Sequence, residues 1–211
     1  LQEASHTEES LVKLFDSFIL EATRIRDAYS SKIRLLIGFE SEWIRPSTLD
    51  IIHGLHAKYT FDFFIGSVHH THTIPIDFDK ATYEKARAKA GGTDERLFED
   101  YFDSQYEMLQ ALNPPIVGHF DLVRLLSDEP DAEFKNMKSV WKKIQRNLEY
   151  ITSYGGILEL NSSALRKGLA QPYPCLAVCQ VCHTAFETLK CRFSNSHQTD
   201  LSSYGRSFHH V

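Results

Sequence analysis

Four short apolar runs constrain this chain more than anything else in it. Each is rich in β-branched or aromatic residues, and each stops at a side chain capable of chemistry. They are Leu35-Leu36-Ile37-Gly38-Phe39-Glu40, Phe63 to Val68 with His69 and His70 behind it, Ile116-Val117-Gly118-His119-Phe120-Asp121, and Ile157-Leu158-Glu159-Leu160-Asn161. Runs of this kind suit strands covered on both faces, as in parallel sheets and α/β barrels. Chemistry in such barrels gathers where the strands end. The four polar exits therefore predict one mouth assembled from distant parts of the chain, and the second exit is the richest, with His69, His70 and His72 within four positions.

Helical patterns fill the gaps between the runs. From Thr7 to Tyr29, the residues Leu11, Leu14, Phe15, Phe18, Ile19, Ala22 and Ile25 recur at helical spacing, with Glu8 and Glu9 in the first turn, where the helix dipole favours acids. Ser30-Ser31 then leads into a strand predicted over Arg34 to Glu40. Ser47 or Thr48 is placed to cap a helix running to about Lys58. Pro75 predicts irregular structure from Thr71 to Asp79. A second strong helix is predicted from Thr93 to Leu112 and is stopped by Asn113-Pro114-Pro115. A third follows Pro130, burying Phe134, Met137, Trp141, Ile144, Leu148 and Ile151, and closes at Tyr154-Gly155-Gly156. This alternation predicts parallel pairing and an α/β fold.

The 211 residues, 42% of them hydrophobic, suffice for one good core. All four cysteines fall in the last fifth of the chain, which divides the sequence into a body of residues 1–174 and a divergent tail of residues 175–211. A net charge of -5 argues against nucleic acid or a membrane surface as partner. With neither an apolar span nor a secretion-signal layout in these residues, the expectation is a cytoplasmic protein with reduced thiols. Cys179-x-x-Cys182-His183 offers half of a finger-type zinc spacing, but Cys175, Cys179 and Cys182 also fit one helix face, and a divergent or mis-spliced tail is preferred to a zinc site. Nothing in the sequence speaks to oligomeric state.

Carboxylates and imidazoles collected at strand ends suit divalent Zn, Mn or Fe. Glu40 and Glu42 share a face of an extended strand, so spacing alone does not choose between them. His69 and His70, as strand neighbours, are expected to face opposite sides, which leaves one for the mouth. His119 and Asp121 share a face, and Asp121 either orients an imidazole or caps the helix that follows. Glu159 and Asn161 share another, ahead of a loop in which Arg166 presents a planar fork suited to phosphate and Lys167 a point charge.

Taken in order, Gly38-Phe-Glu40, Gly66-Ser-Val-His-His70, Ile74-Pro-Ile-Asp77, Gly118-His-Phe-Asp121, Leu158-Glu-Leu-Asn-Ser-Ser-Ala-Leu-Arg-Lys-Gly168 and Pro172-Tyr-Pro174 resemble the motifs of histidinol-phosphatases in the polymerase and histidinol phosphatase (PHP) superfamily. The match is to the fungal and bacterial monofunctional enzymes, over roughly the first four-fifths of the chain. The resemblance implies an incomplete, distorted (β/α)7 barrel and metal-dependent hydrolysis of L-histidinol phosphate to L-histidinol and phosphate in histidine biosynthesis. It assigns Glu40 as a bridging ligand, His69 and His119 as further ligands, and Arg166 as phosphate anchor with Lys167 beside it. Asn161, Glu159 and His70 are implied near the substrate, and Asp121 as an acid serving the reaction. Ser194-Asn-Ser-His197 stands where the family has Asp-Ser-His, making His197 a further ligand candidate. The family's opening His-x-His has no counterpart, so weak or no turnover is expected of these residues alone. The alternatives are a PHP phosphoesterase of other specificity, or a non-catalytic remnant that binds phosphate or a partner.

Overall fold

The computed structural model describes residues 8–185 and 190–194. Helix α1 spans Glu8–Ala28, close to its predicted limits. Its apolar positions do not all find cover. Phe15 packs into an aromatic cluster with Phe39, Tyr59 and Phe61, whereas Leu14 and Phe18 remain 60% and 50% exposed. Strand β1 is Gly38–Glu42, four residues later in its start than predicted. Pairing explains the shift: the parallel register begins with Gly38 opposite Phe63, and just before it Ile37 N–H donates to the Asp62 carboxylate at 2.7 Å. A Cβ on Gly38 would sit 2.7 Å from the Phe63 carbonyl oxygen, so the close approach of the two strands requires glycine there.

Helix α2 (Thr48–Lys58) follows. Ser47 stands at its N-cap, but no side chain caps it, and the Thr48 hydroxyl instead accepts from Arg45 N–H. Strand β2 (Phe63–Ser67) ends two residues before His69. The segment predicted to be irregular contains a small hairpin of β3 (His70–Thr71) and β4 (Ile74–Pro75), turned by His72 and Thr73 at φ of 55° and 65°. Helix α3 (Lys80–Lys89) was not anticipated, because only Tyr83 and Ala86 of its ten residues are buried; the Asp79 carboxylate caps it by accepting Thr82 N–H at 2.7 Å.

Helix α4 (Asp94–Leu112) is capped by Thr93 and ends at Asn113, which adopts a left-handed conformation. Strand β5 (Ile116–Val117), helix α5 (Lys138–Ser153) and strand β6 (Ile157–Asn161) come next, then the short α6 (Ser163–Arg166), α7 (Leu176–Ala185) and β7 (Lys190–Ser194). The five longer-range strands form one parallel sheet in the order β1-β2-β5-β6-β7.

The core lies between this sheet and the α4/α5 pair, where Leu97, Tyr101, Phe102 and Leu109 meet Val140, Ile144, Leu148 and Ile151. A polar thread runs through it: the Asn147 amide donates to Phe102 O and Gln105 Oε1, and Gln105 donates to Phe120 O at 2.9 Å. Both helices are thereby tied to the exit of β5. The residues set apart as a tail take part in the same body. Ala177, Val178 and Cys182 of α7 enter the core, and β7 pairs with β6 over five residues. Cys175 and Cys182 are buried; Cys179 and Cys182 lie on α7, and Cys175 directly precedes it. No described helix is long and apolar enough to cross a membrane.

Candidate active site

Parallel pairing puts the carboxyl ends of β1, β2, β5 and β6 along one side of the sheet, where Glu40, His69 and His119 come together. Glu40 projects from β1, His69 follows β2 and His119 follows β5. One ligand atom from each lies within 4.8 Å of the others, the sole grouping of three His, Cys, Asp or Glu donors with metal-binding spacing among the described residues. His119 Nε2 is 2.9 Å from Glu40 Oε1, His69 Nε2 is 3.7 Å from the same oxygen, and the two imidazole rings are 4.6 Å apart.

Backbone geometry supports this convergence. His119 has φ of 21°, rare for a residue with a side chain, and its N–H donates to Glu159 Oε2 at 3.0 Å. A Cβ on the preceding Gly118 would come within 2.8 Å of Ser67 Oγ, so β2 and β5 can lie this close only with glycine in that place.

His69 and His70 depart from expectation. Because β2 ends at Ser67, strand alternation no longer governs them, and both rings turn to one carboxylate. Glu42 Oε2 meets His69 Nδ1 at 2.5 Å, while its Oε1 accepts His69 N–H at 3.1 Å and lies 3.0 Å from His70 Nδ1. This resolves the choice that spacing left open: Glu40 joins the donor cluster and Glu42 stands behind it. His72, in the hairpin turn, takes no part; its Nε2 pairs with Asp100 of α4.

The electrostatics follow from these contacts. The hydrogen bond to His119 holds the Glu40 carboxyl down to about 2, against the opposing effect of burial. Burial would raise Glu42, but the hydrogen bonds from His69 and His70 outweigh it and leave it at about 2. For His69, desolvation is outweighed by the bond to Glu42 and by the charges of Glu42, Asp77 and Glu40, so its pKa lies above the usual imidazole value.

Other predicted residues have different surroundings. Asp121 is fully buried, accepts Cys175 N–H at 2.7 Å and pairs with the buried Arg124 at 3.3 Å. It makes no hydrogen bond to an imidazole, nor does it cap the 3-10 turn that follows. Neither oxygen faces solvent, and Oδ1 has no hydrogen-bond partner. Burial raises its pKa against the pull of Arg124. Glu159 and Asn161 bond to each other at 3.2 Å, and Asn161 Oδ1 accepts Ser163 N–H, so the pair braces the His119 backbone and the start of α6. Arg166 and Lys167 are exposed, at the end of α6 and just after it, beyond the carboxyl end of β6. His197 lies outside the described residues.

The donor chemistry fits a divalent cation: two imidazoles and a carboxylate are the three-ligand set that leaves a position open for a reacting molecule. Fold and site together define a parallel α/β protein with an imidazole and carboxylate cluster at its strand ends.

Comparison with known proteins narrows that class. Residues 2–163 match the family model described as PHP domain, and the chain belongs to that family. It is 48% identical over 167 residues to a protein of Schizosaccharomyces pombe named "Probable histidinol-phosphatase", covering 79% of this chain and 55% of that protein. It is 33% identical over 210 residues to the "Histidinol-phosphatase" of Saccharomyces cerevisiae, with coverage of 82% and 61%. The chain thus spans somewhat more than half the length of these relatives. Among solved structures, that of a Listeria monocytogenes protein described as "putative histidinol phosphatase" superimposes with a TM-score of 0.73 at 18% identity, over 85% of this chain and 70% of that one. A histidinol phosphate phosphatase from Lactococcus lactis, complexed with zinc, L-histidinol and phosphate, gives 0.55 at 21% identity, over 70% and 53%. These likenesses support the α/β PHP-type fold.

Proposed function

We propose that this chain carries the metal-holding part of a histidinol-phosphatase, which hydrolyses L-histidinol phosphate to L-histidinol and phosphate in histidine biosynthesis. The observation that carries the proposal is the convergence of Glu40, His69 and His119 within 4.8 Å in a PHP-domain chain whose curated relatives bear that name. Zinc in the Lactococcus lactis structure supports Zn as a cation for the site, with Mn or Fe suited to the same donors.

Glu40, His69 and His119 would hold the cation, which would supply Lewis acidity toward a phosphoryl oxygen and a more acidic water. His70 shares the Glu42 carboxylate and stands beside the donors, where it can exchange a proton with a leaving alkoxide. The Arg166 guanidinium, with Lys167 next to it, supplies positive charge for phosphate oxygens at the carboxyl end of β6. Glu159 and Asn161 contribute by fixing the His119 backbone. His197 is offered as a further ligand on sequence resemblance alone. The partner is a small phosphate monoester and the setting cytoplasmic.

The test is phosphate release by the purified chain loaded with Zn, Mn or Fe, offered L-histidinol phosphate, sugar phosphates and nucleotides in parallel. The proposal expects metal-dependent release selective for L-histidinol phosphate and lost in Glu40→Gln. Equal release from all substrates favours a phosphoesterase of other specificity; release indifferent to Glu40→Gln contradicts the site.

A further inference from the structure

We infer that Glu42 is the positioning residue of the donor cluster, fixing the tautomer and direction of the His69 ring. The inference rests on the reading of Glu40, His69 and His119 as a metal site, and it concerns a residue that touches no reacting group.

The geometry is specific. Glu42 engages His69 at two points, the ring through Nδ1 at 2.5 Å and the backbone through N–H at 3.1 Å. A carboxylate without a proton only accepts, so Nδ1 must carry the hydrogen, and in the neutral imidazole Nε2 then keeps its lone pair. That lone pair belongs to the atom 3.7 Å from Glu40 Oε1. The two-point grip also stops the ring rotating about its χ angles, because the same carboxylate is anchored to the backbone of the residue whose ring it holds. Its second oxygen takes His70 Nδ1 at 3.0 Å, which draws that ring to the same side.

His119 provides the internal contrast. Its Nδ1 is buried without a hydrogen-bond partner, and its direction comes from the backbone, through φ of 21° and the bond from its N–H to Glu159. The two histidines of the cluster are thus aimed by different means, a ring clamp for His69 and a backbone clamp for His119. A ligand histidine whose second nitrogen donates to a carboxylate binds metal more tightly, and loss of such a partner costs about 10–100-fold in affinity.

The experiment compares wild type, Glu42→Leu and Glu42→Asp of the full chain, leucine having nearly the same size but no acceptor. The readouts are Zn affinity by calorimetry and long-range 15N–1H correlation of the His69 ring in metal-free protein at a pH where the imidazole is neutral. Wild type is expected to show the Nδ1–H tautomer. In Glu42→Leu the tautomer populations should mix and Zn affinity should fall about 10–100-fold, with partial recovery in Glu42→Asp. Circular dichroism and thermal melting, expected to be near wild type in Glu42→Leu, separate ring orientation from unfolding. Retention of a pure Nδ1–H tautomer in Glu42→Leu would overturn the inference, whatever the affinity does. The tautomer readout needs neither turnover nor metal, so a chain inactive toward L-histidinol phosphate but altered at His69 by Glu42→Leu would count against the proposed function and leave this inference standing.

Discussion

Nε2 of His119 lies 2.9 Å from Oε1 of Glu40, across a separation of 79 residues in the sequence. Neither residue is placed by its neighbours in sequence. β1 and β5 do not pair with each other; β2 lies between them in the sheet, and His69 leaves its end to complete the cluster. The contact is therefore a product of strand order, and it accounts for the low pKa of Glu40.

That low pKa sets an acid limit on stability. Glu40 and Glu42 have folded pKa values of about 2, below their ordinary value of 4.5, so their stabilisation is present above pH 4.5 and is lost as pH falls toward 2. His69 is shifted upward, so its contribution is present below its ordinary value of 6.5 and is lost as pH rises through the raised value. Urea unfolding of metal-free protein across this range should show stability falling below pH 4.5, with a shallower fall in Glu40→Gln and Glu42→Gln. An unchanged acid slope in both variants would contradict the assignment.

Arg124 anchors the segment after α6. It is 2% exposed, bonds to the carbonyls of Pro130, Gln171 and Pro172, and faces the fully buried Asp121. Truncation by Arg124→Ala leaves a buried carboxylate unpaired, which costs about 3–5 kcal/mol. Chemical denaturation measures this loss. A cost under about 1 kcal/mol, the scale of an exposed pair, would show that the pair is not sealed from solvent.

Thr73 is strained. It holds φ of 65° in the turn between β3 and β4, a conformation that a β-branched residue adopts only at a cost. Thr73→Gly should stabilise the chain by about 0.5–1 kcal/mol, glycine relieving the strain at some loss of chain entropy. A destabilised variant in the same denaturation assay would mean that the side chain earns its place by contacts.

What could be read from the sequence was whatever depended on one residue pattern. The apolar runs gave the strands, and the polar residues at their ends gave Glu40, His69 and His119. Long periodic segments gave α1 and α4 nearly to the residue and the end of α5. The start of α5 was placed too early, because Phe134–Asn136 forms a separate 3-10 turn and α5 begins at Lys138, with Met137 and Trp141 only partly buried. Features that depend on partners were not legible. The start of β1 is fixed by register against Phe63, and the hairpin turn lacks the Asn-Gly signal because His72 and Thr73 fill it. α3 escaped notice because a helix with two buried positions has almost no apolar stripe.

The roles of Asp121 and Glu42 show the same limit from opposite sides. Asp121 sits beside His119 in sequence yet faces Cys175 N–H and Arg124, because the chain turns into a 3-10 segment straight after it. Glu42 was legible as a carboxylate on the right strand face. Its hold on His69 and His70 was not, since strand alternation forbids it and only the early end of β2 allows it. The segment from Cys175 onward, read as a divergent tail, includes α7, whose Ala177, Val178 and Cys182 lie in the core, and β7, which pairs with β6.

The most direct test of the central claim is metal content and affinity, measured by elemental analysis and Zn titration on wild type, Glu40→Gln and His119→Ala. A shared site predicts at least one bound equivalent in the wild type and loss of that equivalent, or about 100-fold or more in affinity, in either variant. Wild-type protein with only trace metal after loading, or variants that bind Zn as tightly as it does, would contradict the convergence of Glu40, His69 and His119 on a common cation.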